Sequence, residues 1–216
     1  MWLKWPPTLW LLAAVAVTLL VTGRMRLPNE FRAVMIFPCV FFALAMTTNL
    51  NLGDRYVLPV YPFLLLLCAG VWDVARVRPP GVAIVVALVA CQFVDGLRYA
   101  PDYLSYFNLF VPPGESYMRL TDSNLDWGQG LIALRDYERA HPDDTIWLAY
   151  FGGVDPASYG IRARRLGEGD RVHGTVMVSA THLSGQYLQN PAAFQWLTPY
   201  RRRMILNHTL HLFEVP

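Results

Sequence analysis

Residues 56–72 read YVLPVYPFLLLLCAGVW and residues 81–94 read GVAIVVALVACQFV, and these two runs decide the fold class of the chain. Two further apolar runs, about Leu9–Thr22 and Ala33–Thr47, precede them. A helix bundle in water shows polar stripes at helical spacing, and the quoted runs show none. Flanking Trp, Tyr and Pro residues lengthen all four runs to the roughly 17–25 residues that span a bilayer. We predict a membrane all-α region with four transmembrane helices, at about 6–22, 33–48, 56–72 and 81–97.

Composition divides the chain into two regions that suit different surroundings, a membrane for the first and water for the second. Residues 1–94 contain 63 apolar and 10 charged residues. The remaining 122 residues contain 54 apolar and 24 charged residues. The net charge of +2 is too small for a polyanion-binding protein, so we expect no nucleic-acid partner. All three cysteines lie in apolar runs, which excludes a disulfide framework or a cysteine zinc site in the charged region. We expect no metal and no cofactor.

Loop charges predict an orientation, because Lys and Arg accumulate in short cytoplasmic loops. The connections after the first and third predicted helices are the basic ones, with Arg24, Arg26, Arg32, Arg76 and Arg78. An even number of helices then places everything after Val94 outside. The chain would also begin outside, so we expect that an odd number of helices precedes Met1 in a longer protein.

Beyond the predicted helices, we expect an interfacial aromatic linker over 98–118 and a small external α/β domain over 119–216. The linker contains Tyr99, Tyr103, Tyr106, Phe107 and Phe110. Such rings suit a helix lying at the headgroup level, and they suit the underside of the soluble domain equally well.

Asp126 and Gln129 fit a loose capping box for a helix that ends at His141-Pro142. Three segments are typical of strands: 145–151, 175–179 and 210–215. Alternation of helix and strand predicts a sheet covered by helices.

Arg55 is the first candidate for chemistry, because it stands at the outer end of the third predicted helix. A planar guanidinium matches phosphate oxygens and could grip a lipid phosphate there. The alternative is an interfacial anchor that extends towards the headgroups.

The densest polar cluster is Asp122-Ser123-Asn124-Leu125-Asp126-Trp127-Gly128-Gln129. Its acidic spacing is similar to that of a calcium loop, but Trp127 and Ala133 stand where that loop needs Gly and Glu. Two interpretations remain: a substrate-facing group of Asp122, Asn124, Asp126, Trp127 and Gln129, or a structural turn. In the second, Asp122 makes an Asx-turn and Asp126 caps the helix.

Five stretches together resemble a known family: residues 53–62 (GDRYVLPVYP), 101–108 (PDYLSYFN), 122–129 (DSNLDWGQ), 150–152 (YFG) and 178–183 (VSATHL). They are similar to multi-spanning membrane glycosyltransferases of the GT-C fold that use polyprenyl-phosphate sugars. Protein O-mannosyltransferases and lipid A aminoarabinose transferases are relatives in that superfamily. The resemblance covers about residues 30–216.

The resemblance implies an inverting sugar transfer on the outer face of the bacterial cytoplasmic membrane. In the family, an acidic residue in an early external loop activates the acceptor, and no residue of this chain aligns with it. We therefore name no catalytic residue here. Arg55, with Tyr56 beside it, falls where the family places a basic residue near the donor phosphate. Asp102 stands where relatives often have His, so no catalytic use of that position is expected.

The expected partners are membrane lipid, a polyprenyl-phosphate sugar donor and an upstream membrane portion that carries the catalytic loop. On this interpretation the chain is part of a glycosyltransferase and is inactive alone. The competing hypothesis is a non-catalytic, membrane-anchored binding or assembly module that displays its α/β domain in the periplasm.

Overall fold

The structure, a computed structural model, describes residues 2–47, 53–112 and 114–216. The chain forms two compact units. The first unit comprises Met1–Pro101 and Phe107–Phe110, and the second comprises Asp102–Tyr106 and Val111–Pro216. The first is helical and the second contains a five-stranded sheet, which confirms a helical amino-terminal part followed by an α/β domain.

In the described part of the first unit, five α-helices make up most of the structure. They are α1 (Pro7–Val21), α2 (Asn29–Val34), α3 (Ile36–Thr47), α4 (Tyr61–Ala75) and α5 (Pro79–Leu97), and a 3-10 segment, Gly53–Val60, leads directly into α4. Helix α1 and helix α5 both begin at prolines, which suit the first helical turn because its N–H groups have no partner within the helix. The end of the second predicted span, at residue 48, lies outside the described residues.

Among the described residues, three helical stretches are long and apolar enough to cross a membrane: Asn29–Thr47, Gly53–Ala75 and Pro79–Leu97. They correspond to the second, third and fourth predicted helices. Helix α1 is apolar but has only 15 residues, which is shorter than a full span. Its crossing therefore stays a prediction.

Large apolar side chains cover the outer faces of α3 and α5. Met46 is 73% exposed and Phe93 is 68% exposed, and Phe37, Leu44, Ile84 and Val89 are also exposed. Exposed apolar area on this scale is costly in water, since each Å² costs roughly 25 cal/mol. These faces therefore suit apolar surroundings.

Helix α1 packs against α4 and α5 through two small clusters. One contains buried Trp5 and Leu9 with Cys68, and the other places Ala16 against Val71. Small residues let the helices approach closely, as is usual between helices in lipid.

The segment predicted as an interfacial linker contains two 3-10 turns, Tyr103–Ser105 and Ser116–Met118, and no α-helix among its described residues. Phe107 is buried, whereas Phe110 is 61% exposed and its ring lies 5.2 Å from that of Trp2. A location at the membrane surface stays a prediction for this segment.

The second unit is built on a mixed sheet with strand order β2-β1-β3-β5-β4. Its strands are β1 (Ile146–Ala149), β2 (Arg164–Arg165), β3 (Gly174–Ser179), β4 (Arg202–Leu206) and β5 (Leu210–Val215). Strands β2, β1 and β3 run parallel, while β5 and β4 complete the sheet in antiparallel pairs. Two helices accompany it, α6 (Leu131–Ala140) and the short α7 (Ala180–Leu183).

Each face of the sheet carries its own apolar core. Helix α6 covers one face, with Leu134 packed among Leu148, Met177 and Leu212. The chain around Phe194 and Leu197 covers the other face. Because both faces of β1 and β3 are covered, the end of the parallel strands is the part left open for a ligand.

Candidate functional site

The polar cluster at residues 122–129 is a tight turn held by its own side chains. It opens with a 3-10 turn, Asp122–Asn124, in which Asp122 has a φ of 55°. The Asn124 side chain donates to the Thr121 carbonyl oxygen at 3.3 Å. These contacts favour a structural use for the first half of the cluster.

Asp126 is the buried centre of this turn, with 1% of its surface exposed. Its carboxylate accepts the Gly128 N–H at 3.1 Å and the Thr181 N–H at 3.3 Å. Burial raises the pKa of Asp126 above its ordinary value, and the hydrogen bonds from Gly128 and Thr181 offset part of that rise. Asp126 is therefore a poor candidate for contact with a substrate.

Thr181 is the second residue of α7, so Asp126 satisfies one of the free N–H groups at the start of that helix. The predicted capping box is wrong in this respect. Helix α6 begins at Leu131, and its N-cap, Gly130, has no side-chain capping bond. Asp126 is a helix cap, but for a helix that follows it by more than fifty residues.

Gln129 completes the turn from its other end. Its side-chain oxygen, Oε1, accepts the Trp127 N–H at 2.7 Å, and its side-chain Nε2 donates to the Leu125 carbonyl oxygen at 2.8 Å and to Ser105 Oγ at 3.0 Å. Gln129 thus positions Trp127, whose side chain is 59% exposed. Of the five predicted residues in the cluster, Trp127 is the one with a largely exposed side chain.

Trp127 begins an aromatic row, which we define as Trp127, Phe151 and Tyr187. The Trp127 ring meets Phe151 edge-on with centroids 6.1 Å apart, and Phe151 stacks on Tyr187 with centroids 5.5 Å apart. Tyr187 is 64% exposed. The row presents two exposed rings braced by a half-buried one.

A cleft of about 540 Å³ opens at the carboxyl ends of the parallel strands. Tyr150 follows β1, Arg165 and Leu166 stand at the end of β2, and His182 lies in α7 directly after β3. Strand β1 has β2 on one side and β3 on the other, and ligands bind outside such a point in open α/β sheets. The size is within the range of small-molecule sites.

The cleft has an apolar floor and a rim of mixed charge. The lining includes one cation, Arg165, and two carboxylates, Asp155 and Glu168, so its charged groups sum to a formal −1. Burial lowers the pKa of His182, and the charge of Glu168 opposes that effect, which leaves the ring neutral near pH 7.

Both carboxylates of the rim also accept backbone hydrogen bonds. Glu168 receives the N–H groups of Gln189 and Asn190 at 3.2 and 2.9 Å, and Asp155 receives that of Ala157 at 3.0 Å. Within the described ranges, no ion pair involves Arg165. Its guanidinium is the charged group of the rim that is available to a ligand.

Tyr150 connects the 122–129 turn to the wall of the cleft. Its hydroxyl donates to the Gly128 carbonyl oxygen at 3.0 Å, and a Cβ at Gly152 would lie 2.1 Å from that hydroxyl. Burial first, and then the charge of Asp126, raises the pKa of Tyr150. Glycine at 128 and 152 therefore lets the turn and the cleft wall meet closely.

Arg55 and Tyr56 belong to the first unit, apart from the other predicted site residues. Arg55 is exposed near the start of the Gly53–Val60 segment, and the Tyr56 ring lies 6.3 Å from that of Phe41. The neighbouring Asp54 accepts the Trp5 indole N–H at 3.2 Å. Asn108 donates to the Trp5 carbonyl oxygen at 3.0 Å.

Through these two hydrogen bonds, Trp5 joins the segment before α4 and residues 107–110. All three parts therefore lie at the same end of the helices, where α1 begins. At the other end, Arg24 and Arg26 lie beside Asp73 near the end of α4. Arg55 thus lies near the start of the stretch that contains α4, whereas Arg24 and Arg26 lie near the end of α4.

No group of three or more His, Cys, Asp or Glu side chains in the described part of the chain is arranged to hold a metal ion. His211 is 1% exposed and packs edge-on against Tyr117.

The principal residues of the cleft were not among the predicted site residues. Tyr150 and His182 fall in stretches that carry the family resemblance, but Arg165 and Tyr187 lie in none of them. The available signal was the Gly152-Gly153 pair directly after a buried strand, which is typical of a turn at the carboxyl edge of a sheet.

No family model, curated protein or solved structure matches this chain. The fold and site define a class in physical terms: an apolar helical unit joined to a mixed α/β unit with a cleft at its parallel strand ends.

Proposed function

We propose that the chain is the carboxyl-terminal portion of a membrane glycosyltransferase that takes its sugar from a polyprenyl-phosphate donor. In this proposal four helices cross the bacterial cytoplasmic membrane and the α/β unit lies outside. Arg55 binds the lipid phosphate of the donor, with Tyr56 beside it. The upstream catalytic loop of the family belongs to a partner portion of the enzyme.

The observation that carries the proposal is that Arg55 is exposed near the start of an apolar helical stretch, Gly53–Ala75. The same stretch begins with the Gly-Asp-Arg-Tyr sequence that resembles the family. A guanidinium forms paired, charge-assisted hydrogen bonds to phosphate. At the end of a span it meets the phosphate of a lipid whose chain lies along the helix.

The distribution of arginines supports the proposed orientation. Arg24, Arg26, Arg76 and Arg78 lie in the two connections at one end of the helices, and Arg32 lies in α2, which follows the first of these connections. The opposite end has Lys4, Arg55 and Arg98, of which Arg98 is paired with Asp95 at 3.6 Å. The end of the helices with more Lys and Arg residues is the cytoplasmic one under the positive-inside rule.

Donor binding tests this proposal with undecaprenyl phosphate as the probe. We expect the full chain in lipid nanodiscs to bind it, and Arg55→Ala to weaken binding about tenfold, since a charged hydrogen bond contributes about 1.5–3 kcal/mol. Arg78→Ala is the matched control, because Arg78 is also exposed and directly precedes another helix, α5. Equal effects of the two substitutions would make Arg55 an anchor only.

The competing function is a membrane-anchored binding module without transferase activity. The cleft of the second unit favours it, because a site for a small molecule is present whether or not the first unit binds a donor. A chain that binds a cleft ligand but not undecaprenyl phosphate would be such a module.

A further inference from the structure

The chemistry of the cleft in the second unit indicates what class of molecule it takes. Its volume of about 540 Å³ holds a small molecule, whereas a protein segment would need an extended groove. The floor is apolar, with Leu148, Ile161 and Leu166. The ligand therefore has at least one face without charge.

Charge at the rim argues against an anionic ligand. Asp155 and Glu168 outnumber Arg165, and His182 is neutral, so a phosphate or a carboxylate would meet net repulsion. A hydroxyl group can bind both kinds of charged group at the rim, because it donates a hydrogen bond to a carboxylate and accepts one from a guanidinium. The rim is suited to a neutral molecule rich in hydroxyl groups.

The exposed aromatic ring of Tyr187 is the third feature of the cleft that indicates its ligand. Tyr187 lines the cleft and is 64% exposed, and its ring is held flat against Phe151 at an interplanar angle of 7°. A ring fixed in this way offers a flat apolar face with little further loss of conformational entropy on binding. The C–H face of a sugar ring packs on such a surface while its hydroxyl groups reach the polar rim.

We propose that the cleft at the ends of β1 and β2 binds a neutral pyranose, with Tyr187 packing on the sugar face and Arg165 donating to its hydroxyl oxygens. This inference rests on the lining of the cleft alone. It goes beyond donor binding, which involves Arg55 and the lipid phosphate in the other unit.

The test uses the full 216-residue chain in lipid nanodiscs and saturation-transfer difference NMR, which detects weak binding. The probes are the methyl pyranosides of glucose, galactose and mannose, with adenosine monophosphate and inorganic phosphate as anionic alternatives. We expect transfer to the ring protons of at least one pyranoside and none above the empty-nanodisc signal for the two anions.

Two pairs of substitutions assign that binding to the cleft. We expect Arg165→Ala and Tyr187→Ala each to weaken pyranoside binding at least fivefold, and Tyr187→Phe to retain it. Arg164→Ala is the control for the first, because Arg164 lies one residue away on β2 and its guanidinium is over Trp147, 5.6 Å from the ring centroid. Tyr103→Ala is the control for the second, because Tyr103 is 58% exposed and does not line the cleft.

Thermal unfolding of each variant shows whether a loss of binding reflects a loss of fold. The inference is overturned if the folded wild-type chain binds no pyranoside, if it prefers adenosine monophosphate, or if the controls weaken binding as much as Arg165→Ala. Arg55→Ala should leave pyranoside binding unchanged. The donor proposal and the pyranose proposal can therefore fail separately.

Discussion

The carboxylate of Asp126 accepts a hydrogen bond from the backbone N–H of Thr181 at 3.3 Å, across 55 residues of sequence. This bond joins the 122–129 turn to the first turn of α7, and α7 carries His182 into the cleft. The 122–129 turn, the most distinctive polar stretch of the sequence, therefore holds α7 in place beside the cleft. Trp127 and Tyr187 lie on the accessible side.

Substitution of Asp126 tests this supporting role. We expect Asp126→Ala to lower the free energy of unfolding by about 2–4 kcal/mol, because it leaves the buried Thr181 N–H and the partly buried Gly128 N–H without their acceptor. Asp126→Asn retains one acceptor oxygen and should cost less. Thermal unfolding of the full chain, followed by near-ultraviolet circular dichroism, measures both. An Asp126→Ala protein as stable as wild type would contradict the role.

The raised pKa of Asp126 gives a pH dependence with a definite sign. A carboxyl whose pKa is higher in the folded state favours folding fully below its unfolded value of about 3.9, and this contribution is lost as pH rises through the folded pKa. Asn resembles the neutral carboxyl at every pH. The stability of Asp126→Asn relative to wild type should therefore increase as pH rises above about 4. A difference that stays constant from pH 3 to 8 would mean that the pKa is not raised.

Gly128 should tolerate no side chain. Its φ is 84°, and a Cβ there would lie 2.4 Å from the Tyr150 hydroxyl and 3.1 Å from Gly152 Cα. We expect Gly128→Ala to cost about 2 kcal/mol or more, from a left-handed backbone and the forced movement of Tyr150. Gly169→Ala is the control, because a Cβ at Gly169 meets nothing within 4 Å. Equal unfolding temperatures for the two variants would rule out this close approach.

His211 should stay neutral near pH 7. Arg202 Nη1 lies 3.3 Å from His211 Nδ1, and a guanidinium can only donate, so Nδ1 is the acceptor and the ring proton is on Nε2. Burial, and then the charge of Arg202, lowers the pKa of His211 to about 3. Nitrogen-15 NMR of histidine-labelled protein should show this tautomer.

The same shift makes His211 a source of acid sensitivity. The unfolded chain binds a proton on this residue below about pH 6.5, whereas the folded chain does not until about pH 3, so stability falls as pH decreases through that window. We expect His211→Leu to lose less stability than wild type between pH 6.5 and 4. A steeper loss in the variant would contradict the assignment.

Periodicity in the sequence predicted the main elements of the second unit because those elements bury one regular face. Leu131, Leu134 and Tyr137 recur at helical spacing and are buried in α6 as expected. Strands β1, β3 and β5 fall within or beside the predicted segments, since each is a run of apolar residues between turn residues.

Strands β2 and β4 gave no such signal. Strand β2 is two arginines paired in register with β1, and β4 begins in the basic run at residues 201–203, which is typical of a solvated surface. Both lie at the edges of the sheet, where pairing with a neighbour decides the structure. The sequence also gave no indication that Thr181 is the partner of Asp126, because local spacing cannot indicate a contact 55 residues away.

Substituted-cysteine labelling in spheroplasts tests the central claim, a membrane-spanning chain with its α/β unit outside. Asp143→Cys places a thiol on the exposed loop after α6, and Val77→Cys places one between α4 and α5, where Val77 is 75% exposed. The natural Cys39, Cys68 and Cys91 lie within apolar helices and provide the background. We predict that a membrane-impermeant maleimide labels Asp143→Cys in intact spheroplasts and Val77→Cys only after permeabilisation. Labelling of Val77→Cys alone in intact spheroplasts, or recovery of the chain in the soluble fraction, would contradict the account.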